Sequence, residues 1–303
     1  MNLEAIFGLR PFTRRQALEA GLTPWQWQMA LASGNLHRFR RNVYCARLAP
    51  GDRDLYLQHV AAGLLGRTNH LACSTSALAV LGLPNPYFTS WMRAGVTLAG
   101  PRSDPGPHIR ANTGLVPVPT PWGPTTDLVD TAATIAAELP LPQALMVTDA
   151  AARSLAGTTD RFELASHNCR TEVRRRLTEA HDHPALRLAN PAAESPAESF
   201  YRGHMLLEGL PEPDCGVPMR GVSGTQYFVD LLLDDLVIEV DGRLKYTNVQ
   251  VVIDEKVRED DLRGSGLAFL RPFVEDLYAD ASLEMQRLRV KRAEIHRARR
   301  RAS

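Results

Sequence analysis

The sequence predicts an α/β protein of the α+β multidomain kind, in which small units of differing make-up follow one another. Three observations carry that prediction. At 303 residues the chain is long enough for two or three domains, each able to bury a core. Its first residues alternate helix-capping signals with apolar spacing, and then give way to two short strand patterns. Near the other end, the apolar runs Phe228 to Leu233 and Leu236 to Val240 flank Asp234-Asp235, an acidic break of the kind that turns a β-hairpin. With 44% hydrophobic and 23% charged residues, the composition is that of ordinary globular protein.

Composition also excludes several function classes. No apolar run reaches the ~18 residues of a membrane span, so no membrane partner is expected. Met1-Asn2-Leu3-Glu4 lacks the basic start and apolar core of a signal peptide, which predicts a cytoplasmic protein. Cys45, Cys73, Cys169 and Cys215 stand far apart without a C-x-x-C, so reduced thiols are expected rather than a structural zinc site. No Walker loop, G-x-G-x-x-G or G-x-S-x-G occurs. The net charge of +1 gives no global pull towards nucleic acid, so the distribution of charge matters more than its sum.

Residues 1–49 read as a helix, a turn, a second helix and a wing. Thr13-Arg14-Arg15-Gln16 has capping-box form and opens a helix to about Ala20, where Gly21 turns the chain. Thr23-Pro24-Trp25-Gln26 opens the next helix with proline at its first position, and Ser33-Gly34 closes it. Leu36 to Arg40 then reads as one strand, Arg41-Asn42 as its turn and Val43-Tyr44 as the return. The Phe12 to Ala17 start, Gly21, Gly34 and this basic wing resemble the winged-helix amino-terminal domain of AbiEi-type antitoxins. That resemblance implies DNA binding, repression of an operon and a cognate toxin as partner. On such a frame Gln26 and Gln28 are expected to read base edges, and Arg38, Arg40 and Arg41 to contact phosphates. The competing expectation is a protein docking module.

Residues 50–160 form a middle region, with helices expected from Arg53 to Leu65, Ser74 to Leu81, Thr125 to Ala137 and Pro142 to about Leu155. Short strands are expected at Val96-Thr97-Leu98 and Gly114-Leu115-Val116. This layout also resembles the segment that follows the winged helix in AbiEi-like proteins. Asp127, Asp130 and Asp149 read as helix caps or solvated faces rather than metal ligands. Residues 161–196 read as a linker region, polar and ending in Asn190-Pro191-Ala192-Ala193-Glu194-Ser195-Pro196. The arginines at 170, 174, 175 and 176 read as a solvated face ahead of a phosphate track, and His181-Asp182-His183 as a solvated loop ahead of a metal site.

The region 197–280 carries the candidate chemistry. A helix from Pro196 to Glu208 places Glu198 in its first turn, where the helix dipole favours a carboxylate. In the hairpin, Glu239 and Asp241 share one face of their strand while Ile238 and Val240 take the other, and folding brings Asp230 beside the acidic pair. Carboxylates beside apolar strands are costly to bury unpaired, and a divalent cation is one way to neutralise them.

The order Glu198, Asp230, Glu239-Val240-Asp241-Gly242, the charged helix 254–263 and a last strand Ala268 to Arg271 resembles the PD-(D/E)XK nuclease fold. Within it, the stretch 190–280 is most similar to domains grouped with the very-short-patch mismatch repair endonuclease. The resemblance implies a restriction-endonuclease-like mixed sheet flanked by helices, and Mg²⁺- or Mn²⁺-dependent endonuclease cleavage of DNA. It implies Asp230 and Glu239 as metal ligands, Asp241 as the ligand of a second ion or the partner of Arg243 or Arg258, and Glu198 as the residue that completes or orients the site. Asp241 stands where the family carries lysine, which leaves Lys245 or Lys256 to supply positive charge. The alternative function is a non-catalytic AbiEi-like repressor. A guanidinium that plugs the gap between the acids and excludes any ion would favour that alternative. Residues 281–303 form a basic tail, expected to be mostly helical and to fray.

Overall fold

The computed structural model describes residues 2–101, 109–111, 114–242 and 249–302. The chain is α+β and falls into two compact units, Met1–Thr134 and Ile135–Ser303.

The first unit opens with α1 (Leu3–Phe7), β1 (Phe12–Thr13), α2 (Arg14–Glu19) and α3 (Pro24–Ala32). Both expected capping boxes form. Thr13 and Thr23 each hold an N–H of the first turn, while Gln16 and Gln26 each reach back to the threonine N–H at 2.9 Å. The wing is β2 (His37–Arg40) and β3 (Val43–Cys45), turned by Asn42 at φ 62° in the left-handed region that asparagine tolerates. Strand order is β1-β3-β2, antiparallel throughout. Phe12, Ala17, Leu22 and Trp27 fill the small core beneath, with Tyr44 set edge-on to Trp27 at 5.1 Å.

Beyond the wing come α4 (Asp52–Leu64), β4 (Leu71–Ala72), α5 (Ser74–Leu81), α6 (Trp91–Ala94), β5 (Leu98–Gly100), β6 (Ile109–Ala111) and α7 (Leu128–Glu138). A second small sheet runs β4-β5-β6. Gly114-Leu115-Val116, expected as a strand, is not one, and just beyond it isolated bridges join Thr125 to Val118 and to Ala72. Buried Gln58 on α4 ties the two parts of this unit together. Its amide donates to the carbonyls of Leu9 and Arg47 and accepts from the N–H of Ala49.

The second unit begins with α8 (Leu141–Ala156), α9 (Arg161–Leu164), α10 (His167–Thr178), α11 (Pro184–Arg187) and α12 (Pro196–Leu207). Residues 161–196, expected as a linker, are instead packed helices whose Leu164, Val173, Leu177 and Leu186 are buried. α12 lies close against α8 because residue 203 is glycine. A Cβ there would stand 2.4 Å from the Cα of Pro142. The approach is locked by Arg202, fully buried, whose Nη2 donates to both oxygens of the Asp149 carboxylate at 2.7 and 2.9 Å. Asp149, expected as a cap or solvated group, is therefore a core anion. Asp127 does act as a cap, accepting the N–H of Asp130.

A four-stranded mixed sheet follows, built from β7 (Asp214–Arg220), β8 (Gln226–Leu233), β9 (Leu236–Ile238) and β10 (Ala268–Leu270), in the order β10-β9-β8-β7. The hairpin turn falls at Asp234-Asp235, with Asp234 at φ 56°. α13 (Val249–Gly264) is the crossover that lets β10 run parallel to β9. α14 (Val274–Ala279) and α15 (Ala281–Ala302) complete the unit. The basic tail is helical, as expected, and is held by buried Met285 and Leu288 and by Arg292, which pairs with Asp234 at 2.9 Å.

Candidate acidic site and nucleic-acid interface

The acidic residues are positioned by three elements of the second unit. The β8–β9 register pairs Leu231 with Ile238, so one step further it sets Asp230 opposite Glu239. Past β9 the chain keeps its pairing with the β10 side: the N–H of Glu239 donates to the carbonyl of Leu270, and that of Asp241 to the carbonyl of Pro272. Bonding alternate residues in this way keeps Glu239 and Asp241 on a common face, as their spacing predicts. Ser195 caps α12 and sets Glu198 in its first turn, where its carboxylate accepts the N–H of Glu194 at 2.9 Å.

Glu198, Glu239 and Asp241 are all buried, and arginines have come to meet two of them. Arg258 on α13 forks onto Glu239 at 2.9 and 3.2 Å, and also donates to the carbonyl of Phe228 at 2.6 Å. Arg271, just past β10, reaches Asp241 at 2.9 Å, Glu255 at 3.0 Å and Glu259 at 2.8 Å. Asp230 accepts the N–H of Val240 at 3.1 Å. Asp241 thus takes Arg271, while Arg258, one of its two expected partners, is turned towards the sheet and Glu239. Arg243 lies outside the described residues, as does Lys245. Lys256 is described and stands exposed on α13.

Electrostatics follow from these contacts. Burial works against the charges of Arg258 and Arg271, yet their hydrogen bonds and carboxylate neighbours more than offset it and raise both above the ordinary arginine range. Glu198 differs. Burial, with the charges of Glu194 and Glu239 close by, pushes its carboxyl above the usual range, and its hydrogen bonds come from Glu194 and Ser195. Among the described residues, the carboxylates of Glu239, Asp241, Glu255 and Glu259 pair with the guanidiniums of Arg258, Arg263 and Arg271. Hard oxygen donors of this kind suit Mg²⁺ or Mn²⁺. The described residues nevertheless hold no group of three or more His, Cys, Asp or Glu already gathered as a metal cage. Arg258 occupies both oxygens of Glu239 in the described arrangement, so an ion there would have to share or displace that fork.

In the first unit, the expected DNA-facing residues divide. Gln28 and Arg41 are exposed, and Arg38 is exposed with its Nε on the carbonyl of Arg40. Gln26 departs from expectation, because the side-chain oxygen meant for a base edge is already used on the N–H of Thr23. Arg40 departs as well. Its guanidinium turns inward to the carbonyls of Ala62, at 2.8 Å, and Leu65, and burial with the nearby Arg67 charge lowers its pKa. Trp27 is buried, whereas Trp25 is 70% exposed on the outer surface of α3 beside Gln28 and Met29. The arginines of α10 are engaged locally, Arg170 with Asp214, Arg174 with Glu212, Arg175 with Glu172 and Arg176 with the carbonyl of Leu155. His183 caps α11.

Fold and site together define an α+β protein of two units, one with a helix-turn-helix and wing, the other with a mixed sheet edged by carboxylates and arginines. No protein-family model matches the chain. It is similar to two proteins of Mycobacterium tuberculosis, uncharacterized protein MT2308 of strain CDC 1551 / Oshkosh and uncharacterized protein Rv2248 of strain H37Rv. Each is 27% identical over 267 residues, spanning 84% of this chain and 92% of the relative. Among the described residues, no helix is long and apolar enough to cross a membrane.

Proposed function

We propose that the protein binds DNA and that its second unit cleaves a phosphodiester bond with the help of Mg²⁺ or Mn²⁺. The observation that carries this reading is the gathering of carboxylates from separate elements at one end of the sheet, buried Glu198 from α12, half-buried Asp230 from β8, and buried Glu239 with Asp241 past β9. Asp230 and Glu239 would hold the ion, which supplies an activated water and neutralises charge on the phosphate. Glu198, buried on the flank of Glu239 and held by the N–H of Glu194, would add a further carboxyl oxygen to the site. Arg271 holds Asp241 and α13 in place. Arg258, released from one oxygen of Glu239, is placed to steady a phosphate oxygen with its planar fork. Gln28, Arg38 and Arg41 give the first unit an exposed polar and basic edge for duplex DNA, the arginines serving phosphates and Gln28 a base edge.

The test is nicking of supercoiled plasmid by the full chain with Mg²⁺ or Mn²⁺. Asp230→Asn and Glu239→Gln are expected to abolish nicking while leaving the circular dichroism spectrum unchanged. Cleavage that survives either substitution removes the proposal.

One observation favours a second reading. Arg258 takes both oxygens of Glu239, so the site is self-neutralised at its centre. On that reading the protein is a non-catalytic regulator, AbiEi-like, that grips DNA and answers to a separately encoded toxin. Wild-type protein that binds duplex DNA but nicks nothing with either metal would decide for it.

A further inference from the structure

Beside the acidic site lies an aromatic surface that the proposed reaction does not use. Phe228 precedes Asp230 by two residues on β8, so the two side chains share a face of the strand about 6–7 Å apart. α9 brings Phe162 edge-on to this ring, with centroids 4.9 Å apart and planes at 70°. The Arg161 guanidinium stands 4.2 Å from the Phe228 ring centroid. Phe162 is 56% exposed, which is unusual for a phenylalanine whose ring already has an aromatic neighbour to bury it.

The platform and the acids are joined through short links. Arg161 pairs with Glu194 at 2.6 Å, and the N–H of Glu194 donates to Glu198. The carbonyl of Phe228 accepts from Arg258, which forks onto Glu239. A displacement of the rings would therefore be felt at the carboxylates. Arg161 and Phe162 also lie outside residues 190–280, the stretch on which the nuclease resemblance rests.

We propose that Phe162, backed by Phe228 and Arg161, is a stacking site for an unpaired nucleobase, so that the strand offered to the acidic site is single-stranded or frayed DNA. An exposed ring binds the π-face of any base, and a guanidinium beside it attracts the adjoining phosphate. Bases within a duplex are stacked on one another and present no free face. The site is sequence-tolerant for the same reason, since every base has such a face. The proposal rests on the reading of the second unit as one that acts on DNA.

The experiment measures binding of the full chain, in EDTA, to a fluorescently labelled oligo-dT strand and to a blunt duplex of equal length, by anisotropy. Phe162→Ala is expected to weaken single-strand binding about tenfold and to leave duplex binding within about twofold, whereas Phe162→Trp retains both. Single-strand affinity that Phe162→Ala leaves unchanged, or a loss equal on both substrates, overturns the proposal. Wild-type protein that binds only duplex overturns it while the DNA reading stands, and wild-type protein that binds neither removes both.

Discussion

Replacing Asp149 with alanine should unfold the second unit at much lower temperature and disturb the acidic site with it. The Arg202 side chain is 0% exposed and that of Asp149 2%, and their two contacts are 2.7 and 2.9 Å. Without the carboxylate, Arg202 keeps only a 3.4 Å contact to Glu212 among its described partners, and the buried N–H of Asn190 loses its acceptor. An uncompensated buried charge of this kind costs about 3–5 kcal/mol. For a unit of this size each kcal/mol shifts Tm by about 2–4 °C, so a fall of roughly 6–20 °C is expected. Arg202 sits one helical turn after Glu198 on α12, so the proposed DNA cleavage should fall as well. Calorimetry of the single variant and of the Asp149→Ala/Arg202→Leu pair reads the effect. The double variant should regain part of the loss, because it buries no lone cation. A single variant within about 1 kcal/mol of wild type would refute the assignment of Asp149 as the counter-ion on which Arg202 depends.

Two further outcomes follow from close packing and from burial. Gly203→Ala places a Cβ 2.4 Å from the Cα of Pro142, main chain that cannot swing aside, so overpacking should cost about 1–3 kcal/mol in a denaturant titration. An unchanged midpoint would mean that α8 and α12 approach less closely than described. Glu198→Gln tests the raised carboxyl pKa, whose sign runs against stability at neutral pH. A buried acid that binds its proton more tightly folded than unfolded weakens the fold as pH rises from the ordinary glutamate value through the raised one. The glutamine variant should therefore melt above wild type at pH 7 and match it near pH 4, whereas an equal gap at both pH values would contradict the shift.

Local chemistry was legible where a few neighbouring residues decide the outcome. Thr13 with Gln16 and Thr23 with Gln26 announce their helix starts, and the alternation around Asp234-Asp235 announces both the hairpin and the common face of Glu239 and Asp241. What escaped depended on partners distant in sequence. Arg271 meets Asp241, and Arg258 meets Glu239, only because α13 carries the chain over to a parallel β10. Arg258 at least carried a signal, lying three residues after Glu255 on a charged helix. Asp149 and Arg202 pair across 53 positions, with nothing local to mark either as a core residue. Residues 161–196 looked like a linker because α9 and α11, four residues each, are too short to display a helical period. Gln26 shows two readings competing for one atom, since the oxygen that completes its capping box is the one a base edge would need.

The inward turn of Arg40 has a practical consequence for anyone dissecting this protein. A fragment cut after residue 49 would keep the helix-turn-helix and wing but lose α4, and with it the carbonyls of Ala62 and Leu65 that Arg40 holds and the amide of Gln58 that fastens Leu9, Arg47 and Ala49. Such a piece would carry a loose cation and bare main-chain groups, and could attract DNA by charge alone, giving a misleadingly strong signal in a gel shift. A piece carried through residue 138 retains every one of those fastenings and keeps α7 whole, with its buried Ile135 and Ala136.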